Sequence, residues 1–491
     1  MRNSLLPLSA LVFAIGIAPQ SGHAASLQEA ATALNAADIR SIEFVGAGHW
    51  FQFGQAPNPN AAWPQFDVSS YDALINYETK GAHVKIVRKQ TVDPNRQRPT
   101  PVEQSIDQYV SVTDAWNVTP PAATAQAGTP PTTTPQLSSA EERLAEIWAT
   151  PQGFLKAALA NGAASKASGS GVDISFTVGG KYRYEGTINA QNQVEKVRTW
   201  IDSPVLGDTL VETTFSDYKD FGGVQFPAHV VRAQGGYPVL DLAISSVKPN
   251  PDVDITVPGV VANFHQPSVA VSKLADGVFY LTGGTHHSVA IEQKDHVVLV
   301  EAPLSEDRSL ALIAKIHEII PNKPIKYVIN SHVHFDHAGG LRTLVNDGAI
   351  VVTHQLSKAY YENVWANPHS INPDLLSKSK KVAKFQTYTD KLELSDGKRK
   401  IDVHPIAGSG HSDDLGLVYL PAEKILIEGD AFTVAAAGAP VPASPNPYSV
   451  NLYENIQKLK LNVEQIAGLH GPRVATLADL RTAIGQVASA Q

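Results

Sequence analysis

The densest cluster of chemistry-bearing side chains in this 491-residue chain lies in the sequence SHVHFDHAGG, residues 331–340. Four potential metal ligands fall within six residues of it: His332, His334, Asp336 and His337. Imidazole nitrogens and carboxylate oxygens are ligands that Zn²⁺ and similar divalent ions accept. Because an incidental polar turn rarely carries so many ligand types so densely, the stretch predicts a metal site.

The elements around this cluster are expected to direct its side chains into a cleft. Ile325–Asn330 is typical of a short buried strand, and Gly339–Asn346 of the start of a helix. A loop that leaves a strand is held by a rigid scaffold. In an extended loop the period-two rule makes His332 and His334 point the same way. The Asp-His pair that follows would then point apart and could supply a second ion.

The order His-x-His-x-Asp-His resembles the signature of the metallo-β-lactamase-fold hydrolases, and three later segments agree with it. SGHS around His411 is similar to the third-histidine motif of that family. EGDAF around Asp430 is similar to its bridging-aspartate motif, and LHG around His470 to its last-histidine motif. The resemblance covers about residues 268–491 and implies an αββα sandwich in this part of the chain.

The same resemblance implies a centre of two divalent metal ions, expected to be Zn²⁺. One ion would be held by His332, His334 and His411, the other by Asp336, His337 and His470, with Asp430 bridging them. Such a pair of ions can share a hydroxide and stabilise both the attacking and the leaving oxygen. Asp336 is also the expected catalytic residue, because its second carboxylate oxygen could orient that hydroxide.

These residues narrow the reaction class without specifying a substrate. True β-lactamases of this fold usually lack the bridging aspartate and some use Cys as a ligand, whereas this chain has Asp430 and no Cys. Redox di-iron relatives usually carry Glu at the position of His334. We therefore expect a hydrolase that cleaves an ester, lactone or related bond in a small molecule. The alternatives are a periplasmic β-lactam hydrolase and a non-catalytic, metal-stabilised binding protein.

Residues outside this ligand set are weaker candidates. His286 and His287 precede an expected strand and could approach the site or form a polar turn. Asp413 and Asp414 could orient a ligand histidine or belong to the solvated surface. Tyr448 is a candidate proton donor to the leaving group, since it lies in a loop close in sequence to the EGDAF segment.

The amino terminus and the composition indicate location and partners. A basic start, an apolar run and small residues before Ala25 predict a signal peptide over residues 1–24, and hence a periplasmic or secreted protein. The apolar run is shorter than the roughly 20 residues of a membrane span, and a chain without Cys has no lipobox, so no stable membrane anchor is expected. The net charge of −8 argues against nucleic acid as a partner. A homodimer is compatible with the sequence.

The rest of the chain predicts an α+β protein of two domains. Residues 25–262 are expected to form an antiparallel β-rich accessory domain, and residues 263–491 the catalytic domain. Strand-like runs on either side of Gly179-Gly180 predict a hairpin. The order of the accessory elements is similar to that of the half-open β-barrels of lipoprotein carriers. Such a domain could shape substrate access, bind an apolar ligand or mediate dimerisation.

One segment is expected to be a loop and another to be less regular than the rest. Residues 117–139 are rich in Pro and Thr and predict a flexible loop. Residues 360–394 contain Asn-Pro, Ser and Lys clusters and predict a lid or substrate loop.

Overall fold

The computed structural model describes residues 25–121, 128–264, 269–436 and 444–486. The expected signal peptide at residues 1–24 therefore lies outside the described residues. Within these ranges the chain is an α+β protein with three sheets, of thirteen, seven and six strands. No helix of the described ranges has the length and apolar character required to cross a bilayer.

The accessory domain is built on the thirteen-stranded antiparallel sheet. Its strands are β1 (Ser41–Phe51), β2 (Gln65–Asn76), β3 (Gly81–Gln90), β4 (Glu103–Ser111), β5 (Asp114–Thr119), β6 (Thr132–Pro135), β7 (Ala164–Ser168), β8 (Gly171–Val178), β9 (Tyr182–Ile188), β10 (Val194–Ser203), β11 (Gly207–Asp220), β12 (Gln225–Gln234) and β13 (Tyr237–Pro249). They lie in the order β6-β5-β4-β3-β2-β1-β13-β12-β11-β10-β9-β8-β7, so the first and last strands pair in the middle. The predicted hairpin is confirmed at β8 and β9, where Val178 pairs with Tyr182.

Helices cover one face of this sheet. They are α1 (Leu27–Ala33), α2 (Ala140–Trp148) and α3 (Pro151–Ala160). The single turn α4 (Gly259–Ala262) comes after the last strand and lies beside β5 and β6. Helix α3 begins at Thr150, whose side chain accepts a hydrogen bond from Gly153 N, and has Pro151 in its first turn. Phe154 packs among buried strand residues such as Phe176. The space left between the sheet and α2 is only about 30 Å³. Protein side chains therefore fill the space beneath α2, and the resemblance to lipoprotein carriers stays a prediction.

The prediction of a flexible loop over residues 117–139 is wrong at both ends of that segment. Strand β5 continues to Thr119, and β6 pairs with it so that Trp116 lies opposite Pro135. Three consecutive β-branched threonines favour an extended strand, and an edge position tolerates the proline. Residues 122–127, between the two strands, lie outside the described residues.

The second domain contains two sheets that pack face to face. The seven-stranded sheet consists of β14 (Ala270–Ala275), β15 (Val278–Thr282), β16 (Ser288–Glu292), β17 (Val297–Val300), β18 (Ile325–Ile329), β19 (Ile350–His354) and β20 (Lys384–Tyr388). The six-stranded sheet consists of β21 (Leu392–Ser395), β22 (Lys400–Pro405), β23 (Gly416–Leu420), β24 (Ile425–Glu428), β25 (Gln465–Gly468) and β26 (Ala475–Thr476). The helices are α5 (Glu306–Ile319), α6 (Phe335–Ala338), α7 (Leu341–Asp347), α8 (Gln355–Val364), α9 (Leu375–Ser379), α10 (Pro447–Lys458) and α11 (Leu477–Ala483).

Three apolar clusters hold these layers together. Val298 and Ile329 of one sheet lie in the same buried cluster as Val403 and Ile427 of the other. The outer face of the seven-stranded sheet packs against α5, α7 and α8, and the outer face of the six-stranded sheet against α10 and α11. The domain thus has the helix–sheet–sheet–helix order that the sequence resemblance implied.

The prediction that residues 360–394 are less regular is wrong in part. This segment contains the end of α8, all of α9 and β20, and the start of β21. Tyr361 is fully buried and stacks on Trp365, which attaches α8 to the core. The turn after α8 contacts the accessory domain, where Asn367 donates a hydrogen bond to Leu206 O. Tertiary packing therefore orders a stretch whose local composition favours turns.

Candidate metal centre

The ligand-type side chains meet because several strands end at one edge of the second domain. The His332 stretch follows β18, Asp430 follows β24, and His470 follows β25. His286 lies in the turn between β15 and β16 at the same edge, and His411 in the connection from β22 to β23. Loops at the ends of packed strands are held by a rigid scaffold, which places their side chains with little freedom.

The first group of ligand-type side chains consists of His332, His334, His411 and Asp430, and one ligand atom from each lies within 4.8 Å of the others. His332 Nε2 is 2.9 Å from His334 Nδ1 and 3.2 Å from His411 Nε2. His332 and His334 are buried. The expectation that these two histidines point the same way is confirmed, and both point toward His411.

The second group consists of His286, Asp336, His337 and His470, also within 4.8 Å of one another. His470 Nε2 is 3.1 Å from His337 Nε2, and His286 Nε2 is 3.0 Å from Asp336 Oδ2. The expectation that Asp336 and His337 point apart is wrong, since Asp336 Oδ2 lies 3.8 Å from His337 Nε2. The backbone leaves its extended course at helix α6, so the period of two no longer applies there.

The outward nitrogens of four of these histidines have acceptors. His332 Nδ1 donates to Ser331 Oγ (2.9 Å), His334 Nε2 to Ala56 O (3.0 Å), His337 Nδ1 to Glu301 Oε2 (2.9 Å) and His470 Nδ1 to Thr285 O (3.1 Å). Such bonds select the tautomer whose free lone pair points inward. Several lone pairs directed at one another repel unless a cation lies between them. The donor set therefore fits divalent metal ions in both groups.

Asp430 lies between the two groups. Its Oδ1 is 3.0 Å from His470 Nε2 and 3.1 Å from His337 Nε2, and its Oδ2 is 3.1 Å from His411 Nε2. One carboxylate thus directs an oxygen at each group. Burial alone would raise the pKa of Asp430, but the neighbouring histidines His337, His411 and His470 outweigh it and hold that pKa well below its usual range.

Glu301 supports histidines of both groups from behind. Its carboxylate is fully buried and accepts directly from His337, while Ser331, the partner of His332, donates its hydroxyl to the same oxygen. Glu301 also has a φ of 72°, in the left-handed region that a non-glycine residue adopts only at a cost. The fold therefore maintains a strained backbone where it places this carboxylate.

The histidines differ in their protonation before any ion binds. Burial and the nearby His411 lower the pKa of His334 to about 3, so that its ring is neutral at pH 7. Burial also acts to lower the pKa of His337, but Asp430, Asp336 and Glu301 outweigh it and raise that pKa well above its usual range. A bound cation would take the place of the proton on His337.

The accessory domain reaches this centre through residues 52–58. Gln55 Nε2 donates to Asp336 Oδ1 over 2.8 Å, and the carbonyl oxygen of Ala56 accepts the bond from His334 described above. Gly54 O accepts from Phe335 N over 3.1 Å. Gly54 has a φ of 78°, and a Cβ there would lie 2.7 Å from the Phe335 ring. Glycine is therefore required for this close approach. Sequence reasoning missed Gln55 because nothing in the local pattern links it to Asp336.

A second accessory segment closes the other side of the centre. Arg96 Nη2 contacts both carboxylate oxygens of Asp413 at 2.8 and 2.7 Å. The backbone of Gln97 lies against Gly410, where a Cβ would be 1.8 Å from Gln97 O. Between the two domains remains a cleft of about 380 Å³, which we call the interdomain cleft. His334, His411, Asp430 and Tyr448 line it, together with accessory residues.

The weaker candidates have different surroundings. His286 lies in the second group. Its position beside His287 before an expected strand was only a weak indication of this role. His287 instead donates from Nε2 to Gly471 O over 2.8 Å and holds the turn after His470. Asp413 joins the two domains, and Asp414 accepts from Ser412 and Ser357.

Comparisons with known proteins match the second domain. The family model described as Metallo-beta-lactamase superfamily matches residues 281–464. The metallo-beta-lactamase type 2 of Elizabethkingia meningoseptica is 24% identical over 220 residues, which are 42% of this chain and 79% of that protein. A solved metallo-beta-lactamase from Pontibacter korlensis is 19% identical with a TM-score of 0.34, over 44% of this chain and 98% of that one. The rubredoxin oxygen:oxidoreductase from Desulfovibrio gigas is 18% identical with a TM-score of 0.35, over 44% of this chain and 61% of that one.

Proposed function

We propose that this chain, in which residues 281–464 form a metallo-beta-lactamase superfamily domain, uses two metal ions to hydrolyse an ester, lactone or related bond in a small molecule. The similarity to metallo-beta-lactamases and the two groups of ligand-type side chains support a metal-dependent hydrolase. The observation that carries this proposal is the position of Asp430, which directs one carboxylate oxygen at each group of ligand-type side chains. The interdomain cleft of about 380 Å³ beside them is within the size range of small-molecule sites.

In this proposal each group holds one ion, and Asp430 belongs to both. The first ion would be held by His332, His334 and His411, and the second by Asp336, His337 and His470, with His286 as a further donor. Two bound Zn²⁺ ions would supply a water whose pKa falls to about 7 and would stabilise negative charge that develops on the substrate.

The side chains of the chain do the remaining work. Asp336 directs Oδ2 into the second group, while Gln55 holds Oδ1, so the carboxylate cannot rotate freely. We assign Asp336 the task of orienting the attacking water by accepting its hydrogen bond. Tyr448 lies 5.5 Å from the His411 ring, centroid to centroid, and lines the cleft with Asp430. Its hydroxyl is the group that we assign to protonate the leaving oxygen.

The decisive experiment is Asp430→Asn in the zinc-loaded enzyme. The variant keeps the shape of the side chain but offers one oxygen instead of two, so we expect it to retain one ion and to lose at least about 100-fold in kcat, as removal of a preorganised charge typically costs. Metal content measured by mass spectrometry and hydrolysis of aryl esters and acyl lactones are the readouts. A variant with two ions and an unchanged rate contradicts the bridging position.

A second candidate is β-lactam hydrolysis, which the relative from Elizabethkingia meningoseptica favours by its name. Turnover of nitrocefin measured beside the ester and lactone panel separates the two candidates. We expect turnover of the esters or lactones to exceed that of nitrocefin, because Asp430 fills the bridging position that true β-lactamases of this fold usually lack. Faster nitrocefin turnover would favour the second candidate.

We further propose that the enzyme is exported and that cleavage follows Ala24. Mass spectrometry of protein recovered from the periplasm or medium would then give a mature amino terminus at Ala25. A homodimer remains a prediction that light scattering of the purified protein can test.

A further inference from the structure

The accessory domain places one charged residue in the lining of the interdomain cleft. That residue is Arg98, and the other accessory side chains there are neutral amides such as Gln52 and Gln90, a threonine and apolar residues. On the opposite wall are His334, His411 and Asp430 of the metal centre. A molecule held at the metal centre would therefore have a guanidinium within the same small cleft.

Arg98 forms no hydrogen bond or close ion pair with the described residues, although its charge acts at longer range on Asp413 and Tyr448. No carboxylate oxygen lies within 4.0 Å of its nitrogens in these ranges, and its Nε is buried without a hydrogen bond. Its neighbour Arg96 is different, because Asp413 and Asp93 both contact it. A buried N–H without an acceptor is costly, so a ligand that supplies an acceptor to the Arg98 guanidinium would gain from doing so.

The backbone around Arg98 is held in place before any ligand binds. The ion pair between Arg96 and Asp413 fixes one side of it, and Gln97 packs against Gly410. Pro99 restricts the backbone of Arg98 to an extended conformation. Fixing the backbone removes part of the ordering cost that a ligand of the Arg98 side chain would otherwise meet.

We propose that Arg98 binds a carboxylate of the substrate, so that the enzyme acts on esters or lactones that carry an anionic group. The planar guanidinium matches a carboxylate with two parallel hydrogen bonds. This inference rests on the proposed function, because it takes the metal centre as the place where the bond is cleaved. It makes the accessory domain a determinant of specificity.

The test uses two thiols that bind zinc through sulfur and differ at the far end. These are 3-mercaptopropionate, which carries a carboxylate, and 3-mercaptopropionamide, which is neutral. Calorimetric titration of the zinc-loaded full-length mature protein gives both affinities. We expect the wild-type protein to bind 3-mercaptopropionate about tenfold more tightly than 3-mercaptopropionamide. This ratio is the low end of what a charge-assisted hydrogen bond contributes. In Arg98→Gln the ratio of the two affinities should fall to about one.

Two further variants complete the design. Arg98→Lys keeps the charge without the planar fork and should retain part of the preference. Lys89→Gln removes one charge from an exposed position of the same domain, outside the cleft, and should keep the full preference. Equal affinities of the two thiols in wild type, no measurable binding of either, or an undiminished preference in Arg98→Gln would overturn the proposal.

Hydrolysis in the same preparations separates this inference from the proposed function. If the wild-type protein binds two zinc ions and prefers the anionic thiol, yet hydrolyses no ester or lactone, the role of Arg98 is supported and the proposed reaction is contradicted. If the wild-type protein hydrolyses esters but does not prefer the anionic thiol, the proposed reaction is supported and the role of Arg98 is contradicted.

Discussion

Glu301→Gln should weaken metal binding at both proposed sites, although Glu301 is not placed among the ligands. The carboxylate of Glu301 accepts from four donors: Ser331 Oγ, Ser331 N, Asn330 Nδ2 and His337 Nδ1. A glutamine keeps one oxygen with two lone pairs and turns two N–H groups toward the same donors. At least two of the four donors then lose their acceptor, in a place that water does not reach.

The magnitude follows from the bond to His337, which spans 2.9 Å between fully buried side chains. A hydrogen bond to a charged group contributes about 1.5–3 kcal/mol. That corresponds to about a 10- to 150-fold loss of zinc affinity at the second group. The first group is linked to Glu301 indirectly, through Ser331 and Asn330, which both contact His332. We therefore expect zinc affinity at the first group to fall by about tenfold, the lower end of the effects of residues that hold a ligand in place.

Competition titration of the apo protein against a chromophoric zinc chelator measures both affinities. Asp402→Asn is the matched control, because Asp402 is a buried carboxylate of the same domain that pairs with Lys391 rather than with a histidine. If Glu301→Gln does not fold, Ser331→Ala breaks only the link to His332 and should weaken one ion alone. A Glu301→Gln protein that binds two ions with wild-type affinity refutes this reasoning.

Three further predictions concern the cleft, the domain contact and pH. Tyr448→Phe should lower kcat more for alkyl esters than for 4-nitrophenyl esters, because a good leaving group needs no proton; equal losses would contradict the assignment. Gly54→Ala should lower the free energy of unfolding by about 1–2 kcal/mol for the left-handed backbone alone, together with kcat/KM, as a denaturant titration and an ester assay can show. Burial, and then Glu146 nearby, raises the pKa of Glu142 to about 7, so folding binds a proton and stability falls as pH rises through the interval from about 4.5 to 7. Glu142→Gln should reduce this pH-dependent loss in the free energy of unfolding by about 1–2 kcal/mol, allowing for solvent screening of a half-buried group. Parallel curves of stability against pH for the two proteins would contradict this prediction.

Regular elements were predictable where residue types and their period agree. The hairpin of β8 and β9 needed only a pair of glycines between two alternating runs, because that turn chemistry is local. Strand β6 was missed because its threonines form a strand only beside β5, and the residue pattern does not reveal that neighbour. The ordered structure within residues 360–394 was missed for the same reason, since contacts with the core and with the accessory domain decide it.

Sequence by itself determined the kinds of ligand-type side chains and their order along the chain. His332, His334, His411, Asp430 and their companions could be named because donor chemistry belongs to residue types. Tertiary structure alone decided that Gln55, 281 residues from Asp336, would hold that carboxylate, and that Arg98 would face the same cleft. The physical reason is that contacts between distant segments depend on how two whole domains pack, and no local pattern of residues records that packing.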